Sequence, residues 1–161
     1  MNKMKWIKHY TALEIISAVL GILGGIGTIT FITYVVGYPL LIASFGASAV
    51  LLYGAPGSAL AQPKNLFGGH FIAAVVGVAC YSLMGETWYS LTIAVTLAIV
   101  LMMLTDTIHP PGGATALVCV LQHAGLSFIP VLMGSVCILF VSAYLANKIS
   151  DKRQYPTKKS P

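Results

Sequence analysis

Long apolar runs separated by short polar turns dominate the chain. Residues 12–36, 66–84, 88–104 and 128–149 each read as a membrane-crossing helix, since about 20 predominantly apolar residues span a bilayer core. Two further apolar pieces, 38–55 and 110–122, are shorter and begin in helix-breaking or small residues. The pattern predicts an all-α integral membrane protein with four long transmembrane helices plus two shorter, broken half-helix segments.

The two short pieces resemble each other. "FGASAVL" from Phe45 aligns with "GGATALV" from Gly112 at a constant offset, pairing Gly46 with Gly113, Ala47 with Ala114, Ser48 with Thr115 and Ala49 with Ala116. The same offset sets Pro63 on Pro130, each close to the start of a long helix. Each half then reads as long helix, interrupted segment, long helix. If the short segments cross, there are six passages and the second half runs upside down relative to the first, a 3+3 inverted repeat. If they dip in and return, there are four.

Charge gives an orientation. Only 8% of residues are charged and 57% are hydrophobic, against about 25% charged in an ordinary soluble domain. Lys3, Lys5 and Lys8 precede the first run, Lys148, Lys152, Arg153, Lys158 and Lys159 follow the last, and Lys64 alone lies between. Basic residues beside membrane segments tend to stay cytoplasmic. The expected organisation is a basic cytoplasmic N-terminus (1–11), one transmembrane domain (12–149) and a basic cytoplasmic tail (150–161), in a plasma membrane such as the bacterial inner membrane. Six crossings put Lys64 on the cytoplasmic side and Glu86 outside; four put Lys64 outside. The net charge of +5 is accounted for by orientation and anionic headgroups, with no nucleic-acid partner.

The apolar run after "MNKMKWIKHY" is too long for a typical signal-peptide core, so a retained first helix is expected. Cys80, Cys119 and Cys137 lie in apolar stretches without CxxC spacing and read as small buried thiols. Gly21 with Gly25, and Gly69, Ala73 and Gly77, repeat small residues every fourth position, the spacing of close helix packing. A homo-oligomer is compatible with so small a bundle. Glu14 and Glu86 read as interfacial and solvated.

The candidate chemistry lies in "TDTIHPPGGATALVCV", residues 105–120. Inside hydrocarbon, a proline-broken segment is tolerated only where it is buried in protein or lines a wet cavity. Pro110 and Pro111 suit the first turn of a new helix, which should run on through "GGATALVCVLQ". The amides of Gly112, Gly113, Ala114 and Thr115 are then expected to lack intrahelical acceptors and to form an anion site. Gly46, Ala47 and Ser48, after Pro39, offer the same in the mirrored segment. Two such starts meeting near the midplane would hold a small monovalent anion with no fixed-charge clamp. The stretch also reads as a plain turn, with His109 satisfied by a nearby carbonyl.

The runs "FGASAVLLYGAPGSALAQPKNLFGGH", 45–70, and "HPPGGATAL", 109–117, resemble the HPP family of integral membrane proteins, named for the tripeptide here at His109, Pro110 and Pro111. The resemblance covers nearly the whole chain between its basic ends. It implies four membrane-spanning helices and, from members associated with nitrite transport, a transporter of a small inorganic anion. Within that reading, His109 is expected to take up a proton while paired with Asp106 one turn earlier, and His70 to face the same cavity. Lys64 would draw anions to the cytoplasmic mouth. No enzyme, cofactor or metal is expected: His70, His109, Asp106 and Glu86 show no HxxxH or HExxH spacing and there is no cysteine pair. The rival reading is a non-transporting scaffold or subunit.

Overall fold

A computed structural model describes residues 10–37 and 39–157. Lys3, Lys5, Lys8, Lys158 and Lys159, which carry much of the orientation argument, lie outside the described residues. Among the described residues six helices carry the chain and no strand is present. Helix α1 (Ala12–Phe31) opens on a capping box, in which Thr11 Oγ1 accepts from the Glu14 amide and Glu14 Oε2 accepts from the Thr11 amide at 2.9 Å. That use of its carboxylate buries Glu14, contrary to the solvated position expected of it. A π-helical turn, Ile32–Val36, prolongs α1 until Gly37 ends it at φ 84°, a conformation that favours glycine.

Residues 39–43 then run irregularly into α2 (Ser44–Ala49), which continues as π-helical turns over Val50–Gly54. Helix α3 (Pro63–Met84) begins with proline at its first position, and α4 (Trp88–Leu104) begins on a capping box between Thr87 and Ser90. Helix α5 (Pro110–Leu121) restarts where the two prolines predict it, and α6 (Phe128–Asn147) completes the set. Ala12–Val36, Pro63–Met84 and Phe128–Asn147 are long and apolar enough to cross a membrane. The fourth expected long helix, α4, has 17 residues; at about 1.5 Å per residue it falls a little short of a hydrocarbon core about 30 Å thick. Helix α5 and the Ser44–Gly54 segment reach only about half that thickness.

Polar contacts define the two ends of the bundle. The Tyr10 hydroxyl donates to the Gly54 carbonyl, and the Arg153 guanidinium donates to the carbonyls of Glu14 and Tyr53. The start of α1, the end of the α2 segment and the exit of α6 therefore share one end. The start of α3 joins them, because the Thr157 amide donates to Gln62 Oε1 at 2.8 Å. So does the end of α4, through a 2.8 Å ion pair between Lys64 and Asp106. At the opposite end Glu86, beyond α3, meets His123, beyond α5, at 2.7 Å.

Small residues let the helices approach, as their spacing predicts. A Cβ on Gly21 would sit 2.6 Å from the Tyr53 ring and 2.8 Å from Ala146 Cβ on α6. One on Gly77 would sit 2.6 Å from Cys119 Cβ and 2.8 Å from the Ala116 carbonyl on α5. Both stripes are thus used within the chain. One apolar cluster joins α1, α2 and α6 with parts of α3, and a second fills the space between α3, α4 and α5. Cys80 and Cys119 are buried as expected, whereas Cys137 faces outward into an apolar groove between α1 and α6.

Candidate functional site

The polar centre of the bundle is a chain of five side chains drawn from three helices and the loop before α5. Ser44, Ser48, His70, His109 and Thr115 are all buried, none more than 1% exposed. Ser44 and Ser48 lie one turn apart on α2 and so point the same way. His70 projects from the second turn of α3, Thr115 from α5, and His109 caps α5 from an extended backbone at φ −136°. Ser48 Oγ lies 2.9 Å from His70 Nε2 and 3.0 Å from His109 Nε2, linking the two rings. His70 Nδ1 lies 2.9 Å from Thr115 Oγ1, which is 2.8 Å from Ser44 Oγ. His109 Nδ1 lies 2.8 Å from the carbonyl of Leu60, in the loop between α2 and α3.

Packing holds the rings as firmly as the hydrogen bonds do. The His70 and His109 ring centroids are 4.9 Å apart at 62°, and Phe45 presents an edge to His70 at 5.5 Å. The backbone of Gly69 lies directly against His109 Cβ. In an apolar interior an unmatched polar group costs on the order of 1–3 kcal/mol. Here both nitrogens of both rings have a partner.

Four of the expected site residues, Ser48, His70, His109 and Thr115, therefore converge, and the remainder do not. The amides of Gly112, Gly113, Ala114 and Thr115 make no free anion cradle. Pro110 and Pro111 remove two donors, Gly112 N–H donates to the His109 carbonyl at 2.8 Å, and the later amides enter the α5 ladder. In the mirrored segment the Gly46 amide donates to the Ala43 carbonyl at 3.2 Å, and those of Ala47 and Ser48 belong to α2. The Gly46 and Gly113 α-carbons face open apolar grooves, one beside Ile22 and Ile26, the other beside Ile99 and Met103. Ala47 and Ala114 are exposed on the outside of the bundle. Gly112 is buried, with the Gly69 carbonyl 2.9 Å from where its Cβ would be.

Asp106 does not pair with His109. It ends α4 at φ 53°, with its amide bonded to the Met103 carbonyl and the Thr107 amide to Met102, a left-handed helix ending that turns the carboxylate outward onto Lys64. Lys64 is thereby neutralised at a surface cavity of about 420 Å³ that also borders Gln62 and Asn65. Sequence reasoning missed Ser44 and the Leu60 carbonyl. Ser44 was accessible as the residue one turn before Ser48, but nothing local marks the carbonyl.

Outside the molecule itself, two transmembrane proteins of Dictyostelium discoideum are similar to this chain, 45% and 46% identical over 72% of it. The matched region makes up 44% and 40% of those proteins, so the chain spans under half the length of the curated relatives it matches. No solved structure matches. The profile of the HPP transmembrane region matches residues 7–156, from before α1 to beyond α6. With that coverage, and with the histidine and two prolines of the tripeptide seated at the start of α5, the chain belongs to the HPP transmembrane family.

Proposed function

We propose that the chain carries a small monovalent inorganic anion, such as nitrite, across the membrane, and that the anion engages the imidazoles of His70 and His109 with the hydroxyls of Ser48 and Thr115. The observation that carries this reading is the buried histidine pair. Ionisable side chains within membrane spans are costly, and they mark substrate and proton pathways. Imidazole and hydroxyl groups bind an anion by hydrogen bonding without the tight electrostatic hold of an arginine, and so allow release.

The arrangement of the helices supports six passages and an inverted repeat. Each short segment enters as irregular chain and continues as helix, and α2 and α5 run in opposite directions, with Ser44 beside Thr115 and Ser48 beside His109. Ser48 and Thr115, paired by the repeat, bind the two opposite nitrogens of one ring. With both termini cytoplasmic, the cavity beside Lys64 is the inner mouth. The centre is closed in this conformation: the Leu60 loop covers His109 from that end.

Flux measured in proteoliposomes across a panel of nitrite, nitrate, formate and chloride tests the reading. Uptake of at least one anion is expected, reduced roughly tenfold or more in H70A and H109A, since each removes a matched partner from a buried network. Absence of flux for every anion would leave the scaffold reading standing.

A further inference from the structure

The structure assigns a proton to each transported anion: we infer that the His109–Ser48–His70–Thr115 chain admits one proton and one monovalent anion together, so that net movement is electroneutral. The inference rests on the transport reading above and adds its coupling.

The Leu60 carbonyl can only accept, so His109 Nδ1 carries its hydrogen and donates to it. In the neutral ring Nε2 then accepts, and the Ser48 hydroxyl donates to it. Ser48 Oγ in turn accepts from His70 Nε2–H, leaving His70 Nδ1 to accept from the Thr115 hydroxyl, whose alternative acceptor is Ser44 Oγ. Every nitrogen is matched with both rings neutral, and all the hydrogens point toward Leu60. A bare anion entering this chain finds every donor in use.

Adding a proton changes that. Protonation of His70 at Nδ1 turns this nitrogen into a donor toward Thr115 Oγ1. The Thr115 hydroxyl hydrogen then turns to Ser44 Oγ, or to the Pro111 carbonyl at 3.3 Å. The balance is one neutral chain, one proton and one anion giving one imidazolium–anion pair of zero net charge. A second proton is excluded, because the rings are 4.9 Å apart in an apolar surround where like charges repel strongly. Among the described residues no other titratable group faces the rings: α2 contributes Ser44, Ser48 and the Phe45 edge, α5 contributes Thr115, and the loop contributes a carbonyl. Lys64 and Asp106, the charges nearest in sequence to the two histidines, are paired with each other at the surface.

Two measurements on the full chain in liposomes test the inference. The first is 15N NMR of the histidine rings without substrate, at neutral to mildly alkaline pH. His109 is expected as the Nδ1–H form and His70 as the Nε2–H form; any other pair of tautomers overturns the hydrogen-bond order. The second measures nitrite uptake together with internal pH, against protein-free liposomes. The expected result is one proton per nitrite, uptake that rises as the outside is acidified, and no response to an imposed membrane potential. Uptake driven by potential without a proton overturns the coupling and leaves anion transport intact; no uptake of any anion overturns the transport reading and the coupling with it. S48A, which removes the hydroxyl between the rings, is expected to unlink the two tautomers, with S48T restoring the link. D106N is expected to change neither tautomer, and a shift of His109 in that variant would also count against the inference.

Discussion

A single carbon placed on different glycines should have opposite consequences. At Gly113 an added Cβ meets nothing within 4 Å, and an alanine in a helix interior is favoured over glycine by about 0.8–1.0 kcal/mol. G113A should therefore hold or raise the unfolding temperature in detergent. At Gly69 the same carbon falls on His109 Cβ and lies 3.2 Å from the Thr107 carbonyl. Neither can retreat without moving the start of α5, so G69A should lower stability by about 1–3 kcal/mol, and should also disturb the 15N signals of His109. If G69A melts as the wild type does, the close approach of α3 to the hinge is wrong. Sequence reasoning gave these glycines the wrong weights because the small-residue spacing marks a packing face but not which glycines lie closest. It assigned Gly113 to a ligand from its place after HPP, when the prolines before it had already removed the donors such a site needs. His70 and His109 were legible as candidates facing one cavity. Their union through Ser48, which lies 22 residues from one and 61 from the other, was not.

At the scale of elements, the segment after α6 behaves as a strap. Arg153 is buried with its guanidinium on the Glu14 and Tyr53 carbonyls, Tyr155 packs in the core beside Phe140, and the Thr157 amide reaches Gln62. Burial draws the Arg153 pKa below its ordinary value, and the charge of Glu14 acts in the opposite direction. Gln62 also donates to the carbonyls of Pro56 and Ser58, so the strap steadies the loop whose Leu60 carbonyl holds His109. R153A leaves buried carbonyls without their donor and should cost about 1–3 kcal/mol. It should also speed amide hydrogen exchange in residues 55–62 while leaving α4 and α5 protected. Uniform exchange across the chain would mean that the strap supports the whole fold and has no particular hold on the loop. Helix starts were the most legible elements: those expected at 12, 88, 110 and 128 match, the restart at 110 because two prolines fix it by local geometry, whereas α3 begins at Pro63, three residues before the expected 66. The strap was hidden because its basic composition reads equally well as a solvated tail, and only three-dimensional proximity supplies the carbonyls that Arg153 satisfies.

For the molecule as a whole, the decisive question is whether the short segments cross. Tyr10 and Gly54 meet through a hydrogen bond, and Glu14 and Tyr53 share Arg153, so the Ser44–Gly54 segment ends where α1 begins. A dip that returned to its own side would instead leave Gly54 at the far end, beside Val36. A crossing would carry 39–43 through as irregular backbone, with Ile42 buried, Leu40 and Leu41 half-buried, and the amides of Leu40 and Leu41 donating to Thr33 Oγ1 at 3.2 and 3.0 Å. Backbone groups satisfied in this way are what hydrocarbon demands of a non-helical stretch. Six crossings predict that Ser58 and Thr157 face one side and Thr87 and Gly125 the other. Single cysteines at these four positions, in a chain with Cys80, Cys119 and Cys137 replaced by serine, would be labelled in sealed vesicles by a membrane-impermeant maleimide. Labelling of Ser58→Cys and Thr157→Cys from the same face, with Thr87→Cys and Gly125→Cys protected until the vesicles are opened or inverted, is the expected pattern. Four crossings would place Ser58→Cys opposite Thr157→Cys and move Thr87→Cys to the face of Thr157→Cys. In that arrangement α2 and α5 would not run in opposite directions across a shared centre, and Ser48 and Thr115 would not meet the two nitrogens of His70 from facing helices.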